Sequence, residues 1–402
     1  MLDNTIIDSN DHQQLELYIH IPFCARKCNY CDFLSFPMKE TEHGPYIDQL
    51  CAEIRESAAL ATNYEISTIF IGGGTPSLLD PKYISRIMYY IRRFYTVRPN
   101  AEITIECNPA STIAYKFAAY RDAGINRLSI GLQSANNDEL RTLGRLHLFE
   151  DFLKCYQSAR MEGFRNINID LIDEIPGQTE KSWRETLRHV LMLKPEHVSI
   201  YNLIVEDGTP FRTMQEAGTL ALPSEDTQAA IDALTREMTE RYGYQRYEVS
   251  NYAKPGYECR HNYGYWSGVP YLGFGLGAAS CFQGERWSNL RSFPQYLALD
   301  MASEIRQGCP TLHAEHEKQS TQAQMEEFMF LGLRRTAGIS EVEFKTRFQI
   351  DIHSVFGEQL QRYTADGMLI HEGYRYRFSE RGMDVSNFIL TDFLLDQENA
   401  RL

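Results

Sequence analysis

Through the first half of the chain, short apolar, β-branched runs alternate with longer stretches of helical spacing. The runs at 15–21 (LELYIHI), 67–71 (STIFI), 102–106 (EITIE), 126–130 (NRLSI), 166–172 (NINIDLI) and 197–203 (HVSIYNL) predict strands. The stretches 45–60, 80–95, 112–122, 149–162 and 179–192 predict helices between them. Six β-α repeats imply the α/β class, with a parallel sheet and helices outside it. An open sheet and a curved, partial (β/α)6 TIM-type barrel both satisfy that pattern. In either, ligand-facing residues collect at the C-terminal strand ends and the loops after them.

The regularity fades near residue 210. Residues 242–287 are dense in Tyr, Trp and Gly, with Pro255 and Pro270 interrupting, and read as irregular structure that lines something. From about 300 to 323 the chain is polar and aperiodic, as a linker would be. Beyond it, MEEFMFLGLRR predicts an amphipathic helix. FKTRFQIDIHSVF and EQLQRYTADGMLI follow, then the strand pair IHEGYRYRFSERG and a last helix at about 382–396. Helices followed by a hairpin suggest a helical, winged-helix-like C-terminal module. The expected division is therefore 15–250, 251–310 and 311–402.

Composition narrows the function. The 402 residues carry a net charge of -14, which argues against general nucleic-acid binding, since that needs a basic face. Met1 to Gln14 lack the basic start and apolar run of a secretory signal, and no run of about 18 apolar residues predicts a membrane span. A cytoplasmic, non-inserted protein is expected. Of its nine cysteines, three crowd into eight residues, which in a reducing compartment points to a metal rather than to disulfides.

Those three lie in YIHIPFCARKCNYCDF, residues 18–33, directly after the first strand. Cys24, Cys28 and Cys31 can hold three corners of a cubic iron–sulfur cluster and leave the fourth iron for an external chelator. A structural zinc site is the competing reading, but zinc wants four ligands and no second cysteine pair is present; His20 is the nearest candidate. Cys51, Cys107, Cys155, Cys281 and Cys309 are isolated and read as packing residues.

The Cys-x3-Cys-x-aromatic-Cys spacing resembles the signature of the radical S-adenosylmethionine (SAM) superfamily, and its surroundings resemble the coproporphyrinogen III oxidase-like branch. The resemblance runs through about residues 15–300, with a similar C-terminal module. It implies a [4Fe–4S] cluster whose open iron is chelated by SAM. It also implies SAM contacts at Gly73, Gly74 and Thr75 in IFIGGGTPSLL, at Glu106, Gln133, Arg145 and Asp170, and at Tyr18 and Tyr30, with Asn202 a weaker counterpart. Taken singly, each of these also reads as a turn, a cap or a surface charge. One departure stands out: where the family runs DLIYGxPGQ, this chain has DLIDEIPGQT, placing Asp173 and Glu174 where two carboxylates could alter the pocket wall.

Two functional classes share the scaffold: the oxygen-independent coproporphyrinogen III dehydrogenase and the HemW-type haem chaperones. The dehydrogenase pattern continues to a fourth cysteine two positions after the third, where this chain has Phe33, and it carries a longer N-terminal extension. CRHNYGYW, residues 259–266, resembles the HNxxYW motif of the chaperones. That resemblance implies haem contact by His261, Asn262, Tyr265 and Trp266. Imidazole is a good axial ligand, aromatic rings can cover a macrocycle, Arg260 could pair with a propionate, and Cys259 is an alternative ligand. A histidine among aromatics is also often a hydrogen-bonded packing residue. The expected function is a haem chaperone that passes haem to an apo-haemoprotein, by resemblance a membrane cytochrome subunit. The alternative is a tetrapyrrole-acting radical SAM enzyme, served by an electron donor that the sequence does not name.

Overall fold

The structure, a computed structural model, describes residues 13–111 and 114–395. The reading of Met1 to His12, the start of the helix expected at 112–122 and the end of that expected at 382–396 lie outside the described residues.

Six strands, β1 (Gln13–Ile21), β2 (Tyr64–Gly73), β3 (Val97–Cys107), β4 (Arg127–Gln133), β5 (Ile167–Asp173) and β6 (His197–Asn202), pair in parallel in chain order. The crossovers carry α1 (Glu40–Glu56), α2 (Pro81–Phe94), α3 (Ala114–Asp122), α4 (Asn137–Thr142), α5 (Phe149–Met161) and α6 (Glu180–Met192). Two more helices, α7 (Pro210–Glu216) and α8 (Glu225–Arg241), follow β6. The barrel is partial, because β1 and β6 do not meet. The sheet instead runs on at both edges.

Period-two alternation sorts the side chains to the two faces of the sheet. In β1, Leu15, Leu17, Ile19 and Ile21 are fully buried and join the helix-facing core with Ile87, Ile91 and Leu187. Each such side chain stabilises the fold by roughly 1.5–3 kcal/mol. The alternate positions, Glu16, Tyr18 and His20, share the other face with Thr68, Glu102, Glu106, Arg127 and Asp170, a polar interior no plain hydrophobic sheet would tolerate. It is stabilised by internal hydrogen bonds: Asn168 donates to Ser129 and Asp170 at 2.8 and 2.7 Å, and His197 contacts Asn168 and Tyr247.

The region expected to be irregular is regular. At one edge β7 (Gln245–Arg246) and β8 (Asn251–Ala253) form a hairpin against β6. Helix α9 (Arg260–Trp266) leads to β9 (Tyr271–Phe274), which is parallel to β1. Then β10 (Ala279–Phe282) and β11 (Glu285–Asn289) extend the sheet antiparallel. The strands are short and half-buried, so period-two alternation never runs long enough to register. The supposed linker holds α10 (Phe293–Ala298) in its approach, then α11 (Met301–Arg306) and the edge strand β12 (His313–Lys318). Strand β12 is polar on both faces, the composition by which sheet edges avoid further pairing.

The C-terminal module matches its expected pattern. Helix α12 (Thr321–Leu333), β13 (Ile339–Ser340), α13 (Glu341–Phe348), α14 (His353–Ala365), β14 (Leu369–Glu372) and β15 (Arg375–Phe378) give the winged-helix order, with a three-stranded sheet β13-β15-β14. It has its own core around Phe328, Phe344, Phe356 and Phe393. The last expected helix is split into α15 (Glu380–Asp384) and α16 (Ser386–Thr391).

Candidate cluster and cofactor site

The loop after β1 is fastened from several sides. Phe23 and Phe36 form a bridge at its base, and Cys24 N–H donates to the Phe36 carbonyl at 3.0 Å. Asn29 donates its backbone and side-chain N–H to the Leu143 and Thr142 carbonyls at 3.0 and 2.9 Å, while Arg26 donates to Gly144 at 2.6 Å. Cys24, Cys28 and Cys31 therefore face one cavity of about 380 Å³ at the C-terminal ends of the strands. All three are free thiols. Burial pushes the Cys31 thiol up to about 11.

The donor set fits a cubane better than a single ion. Among the described residues no three His, Cys, Asp or Glu side chains converge on one metal position, whereas a cubane gives each thiolate its own iron. His20 is a poor fourth zinc ligand. Its Nε2 meets the Leu34 carbonyl at 2.8 Å and its Nδ1 meets the Tyr18 hydroxyl at 3.1 Å, so both ring nitrogens are engaged.

The same cavity is lined by Tyr30, Gly73, Gly74, Thr75, Glu106, Gln133, Arg145 and Asp170. An acidic and a basic side chain both line it. Arg145 donates to the Gly131 carbonyl at 2.7 Å and approaches Cys28 Sγ at 3.8 Å, leaving a buried Nε without a partner. Glu106 accepts from Gly73 N–H at 3.0 Å; burial, then the neighbouring Asp170, pushes its carboxyl up to about 8. A cation-poor carboxyl and an under-used guanidinium in one cavity suit the amino and carboxylate groups of an amino acid. This is the end of SAM that a three-cysteine cluster leaves an iron to receive. Gly73 has φ 114, a left-handed conformation that glycine adopts without strain, and a Cβ there would lie 2.7 Å from the His20 ring. Gly74 is held closer still to the cluster loop: its Cβ would lie 2.7 Å from the Phe23 carbonyl and 3.1 Å from Cys24 Sγ. Tyr18 stands just outside this lining, its ring stacked on Phe70 at 6.4 Å.

Sequence reasoning missed Ser129, Tyr201 and Ile204, which also line the cavity. Ser129 was legible in principle, because it lies two positions before Gly131 and so shares its face of β4. Ser129 Oγ donates to Asp170 at 2.9 Å and fixes that carboxylate. Asn202 lines the cavity too, and donates to Glu174 at 2.8 Å. Phe33 is 62% exposed at the mouth.

The DLIDEIPGQT departure does not reach the cavity: neither Asp173 nor Glu174 lines it. Asp173 is buried behind the strand. Burial, then Glu174 and Asp232, pushes its carboxyl up to about 8, and its Oδ1 has no partner. Because the folded-state value lies above the unfolded one, wild-type stability falls as pH rises from about 4 toward 8. Asp173→Asn lacks that slope. Its stability advantage over wild type is expected to grow across that range to about 1 kcal/mol or more and then level off, as read by denaturant unfolding at stepped pH. Parallel curves would refute it.

The HNxxYW residues lie elsewhere. Helix α9 seals the opposite, N-terminal end of the barrel. His261 is 1% exposed and its ring packs on Phe70 at 5.2 Å. Its Nδ1 meets Thr68 Oγ1 at 2.7 Å and its Nε2 meets the Tyr265 hydroxyl at 2.9 Å. Glu16 is fully buried beside it, and a Cβ at Gly264 would lie 2.0 Å from Glu16 Oε1, so α9 can approach only as glycine there. Arg260 donates to the Asn100 carbonyl and Cys259 is wholly buried. Trp266 faces Arg334 of the C-terminal module at 5.8 Å. The structure thus does not bring His261, Asn262, Tyr265 and Trp266 to the cluster cavity.

Residues 18–190 match the Radical SAM superfamily, and residues 319–385 match the HemN C-terminal domain. The chain is 34% identical over 386 residues to the "Heme chaperone HemW" of Lactococcus lactis, covering 95% of this chain and 98% of that one. It is 40% identical over 265 residues to the protein of the same name from Escherichia coli, covering 66% and 69%. The mouse "Radical S-adenosyl methionine domain-containing protein 1, mitochondrial" is 30% identical, with 96% and 88% covered. Among solved structures, coproporphyrinogen III oxidase (HemN) from Escherichia coli, described as a radical SAM enzyme, superposes with a TM-score of 0.82. It covers 96% of this chain and 91% of its own at 24% identity, a likeness of fold.

Proposed function

This chain belongs to the HemW family of the radical SAM superfamily, and on that premise we propose that it is a haem chaperone, binding haem and handing it to an apo-haemoprotein. The observation that carries the reading is the 34% identity sustained over nearly the whole of both chains. Phe33 supports it: an exposed phenyl ring stands at the cavity mouth where the dehydrogenase pattern requires a thiol.

Membership in the superfamily implies a [4Fe–4S] cluster and SAM. Cys24, Cys28 and Cys31 would hold the cluster; Arg145 and Glu106 would orient the amino acid end of SAM. When bound, the pair supplies one-electron chemistry at a sulfonium. The chain's own part is to anchor the loop, exclude water and place opposite charges at the open corner. The three cluster-loop cysteines are thiols, which supports work in a reducing compartment such as the cytoplasm. No described helix is long and apolar enough to cross a membrane. A membrane cytochrome subunit as acceptor would therefore be met by docking of this body against it.

Haem contact through His261, Asn262, Tyr265 and Trp266 requires α9 to leave the barrel floor, since both nitrogens of His261 are engaged in the closed arrangement. The decisive experiment is a haem titration of the anaerobically reconstituted protein, followed by Soret absorbance and by transfer to an apo-haemoprotein. Saturable, roughly stoichiometric binding that is released to the acceptor is expected. Absence of specific binding, together with turnover of coproporphyrinogen on adding SAM and a reductant, would replace the chaperone by the enzyme.

A further inference from the structure

The C-terminal module keeps its core to itself. Every buried member of that core lies within 328–393, and among the described residues Val249 is the one side chain from outside the module packed against it. The chain enters the module through Gln319 and Ser320, between β12 and α12. Two ion pairs join it to the barrel, Arg236 with Asp384 and Arg286 with Glu327; both are part-exposed and contribute little. The module can therefore part from the barrel without opening its own core.

What it holds is α9. Arg335, just beyond the end of α12, is 5% exposed. One arm of its guanidinium donates to Ser267 Oγ, at the end of α9, at 2.9 Å, and the other donates to the Gly338 carbonyl inside the module at 3.1 Å. The same group lies over the Tyr263 ring at 5.6 Å, and Arg334 stands over Trp266. Thr336 N–H donates to the Tyr247 carbonyl at 3.0 Å. A Cβ at Gly268 would lie 2.9 Å from the Arg347 guanidinium, so α13 closes against the turn after α9.

Helical spacing sorts these contacts. Tyr263, Trp266 and Ser267 share one side of α9, and His261, Gly264 and Tyr265 share the other. The first set meets the module, and the second meets Thr68 and Glu16 of the barrel. The seam is not fully satisfied. Trp266 Nε1 and Arg335 Nε are buried donors without a partner, and both residues line a cavity of about 40 Å³ there. Parting the seam would give both donors to water, which offsets part of the cost of opening.

We propose that the C-terminal module is a latch on α9, with Arg335 the positioning residue that holds it shut. Its consequence for haem rests on the chaperone reading and on contact through α9. The state competent to bind is then the one in which module and α9 have parted, and the latch lowers apparent haem affinity by the fraction of the time that it is open.

The test is site-resolved amide hydrogen exchange on the cluster-loaded full chain, with haem association rates measured beside it. Wild type, Arg335→Ala, Ser267→Ala and the double variant are compared. Ser267→Ala cuts the same contact from the α9 side and leaves the module intact, so the latch stays testable if Arg335→Ala loosens the module, which exchange at α14 would reveal. The α9 amides are expected to exchange about tenfold faster in Arg335→Ala, the order of one lost hydrogen bond to a charged group, and to move the same way in Ser267→Ala. The double variant should match Arg335→Ala, because both changes cut one contact. Haem association should quicken with α9 exchange. Wild-type exchange at α9 in both single variants would overturn the latch. Faster α9 exchange with unchanged association, in protein that binds haem, would overturn its control of haem contact. If wild type binds no haem, the chaperone reading fails and the exchange alone decides the latch.

Discussion

Cys28→Ser, reconstituted anaerobically, is expected to retain almost none of the wild-type iron, sulfide and visible absorbance, and Cys24→Ser and Cys31→Ser should match it. The loop that carries these residues is short and pinned to the α4–α5 connection by Arg26 and Asn29, so it cannot slide to recruit another ligand. A serine hydroxyl does not ionise near neutral pH, so one cubane corner would be lost outright. The informative control is Cys107→Ser. Cys107 also lines the cavity, yet it lies at the end of β3, outside the cluster loop. It should keep a full cluster. Equal losses in all four variants would mean that reconstitution depends on thiols in general, and unchanged iron in the first three would sink the assignment.

The reach of sequence reasoning follows from where the information is local. The six strands and five of the crossover helices were legible because each carries a complete period; α4, six residues long, was not. The expected 166–172 became Ile167–Asp173, and 197–203 became His197–Asn202. The cluster loop was legible because three thiols in eight residues have few bland explanations. Glu106, Gln133, Arg145 and Asp170 come from four separate segments, so the sequence alone could not show that they meet. The parallel register brings them to one cavity.

What stayed illegible depends on contacts distant in sequence. Strands β9–β12 are short, and β12 is charged on both faces, so nothing local marks them as sheet; pairing with β1 does. The HNxxYW motif shows the same limit from the other side. Its residue types suit a haem, but the pairing of His261 with Thr68, 193 positions away, decides what the ring does in this fold. His313 has no informative neighbours in the sequence. Its context is Trp287 across a strand pair, visible only once β11 and β12 are joined.

The second large effect concerns SAM. Glu106→Gln and Arg145→Met are each expected to weaken SAM binding to the cluster-loaded protein by about 10- to 100-fold, the loss of one charge-assisted contact worth roughly 1.5–3 kcal/mol. The two should differ in pH dependence. With its carboxyl raised to about 8, Glu106 is largely protonated at pH 6.5 when no cation faces it. To chelate iron the SAM amine would itself shed a proton, and Glu106 as carboxylate would accept from the bound –NH2, so both groups release protons and wild-type affinity should rise from pH 6.5 toward 8.5. Glu106→Gln keeps only the amine's proton release and should bind with a shallower slope. Arg145→Met keeps Glu106 and should keep the slope at lower affinity. Calorimetry in two buffers of different ionisation enthalpy counts the protons directly. A wild-type slope no steeper than that of Glu106→Gln would remove Glu106 from the amine and leave it as a buried acid that merely holds the Gly73 amide.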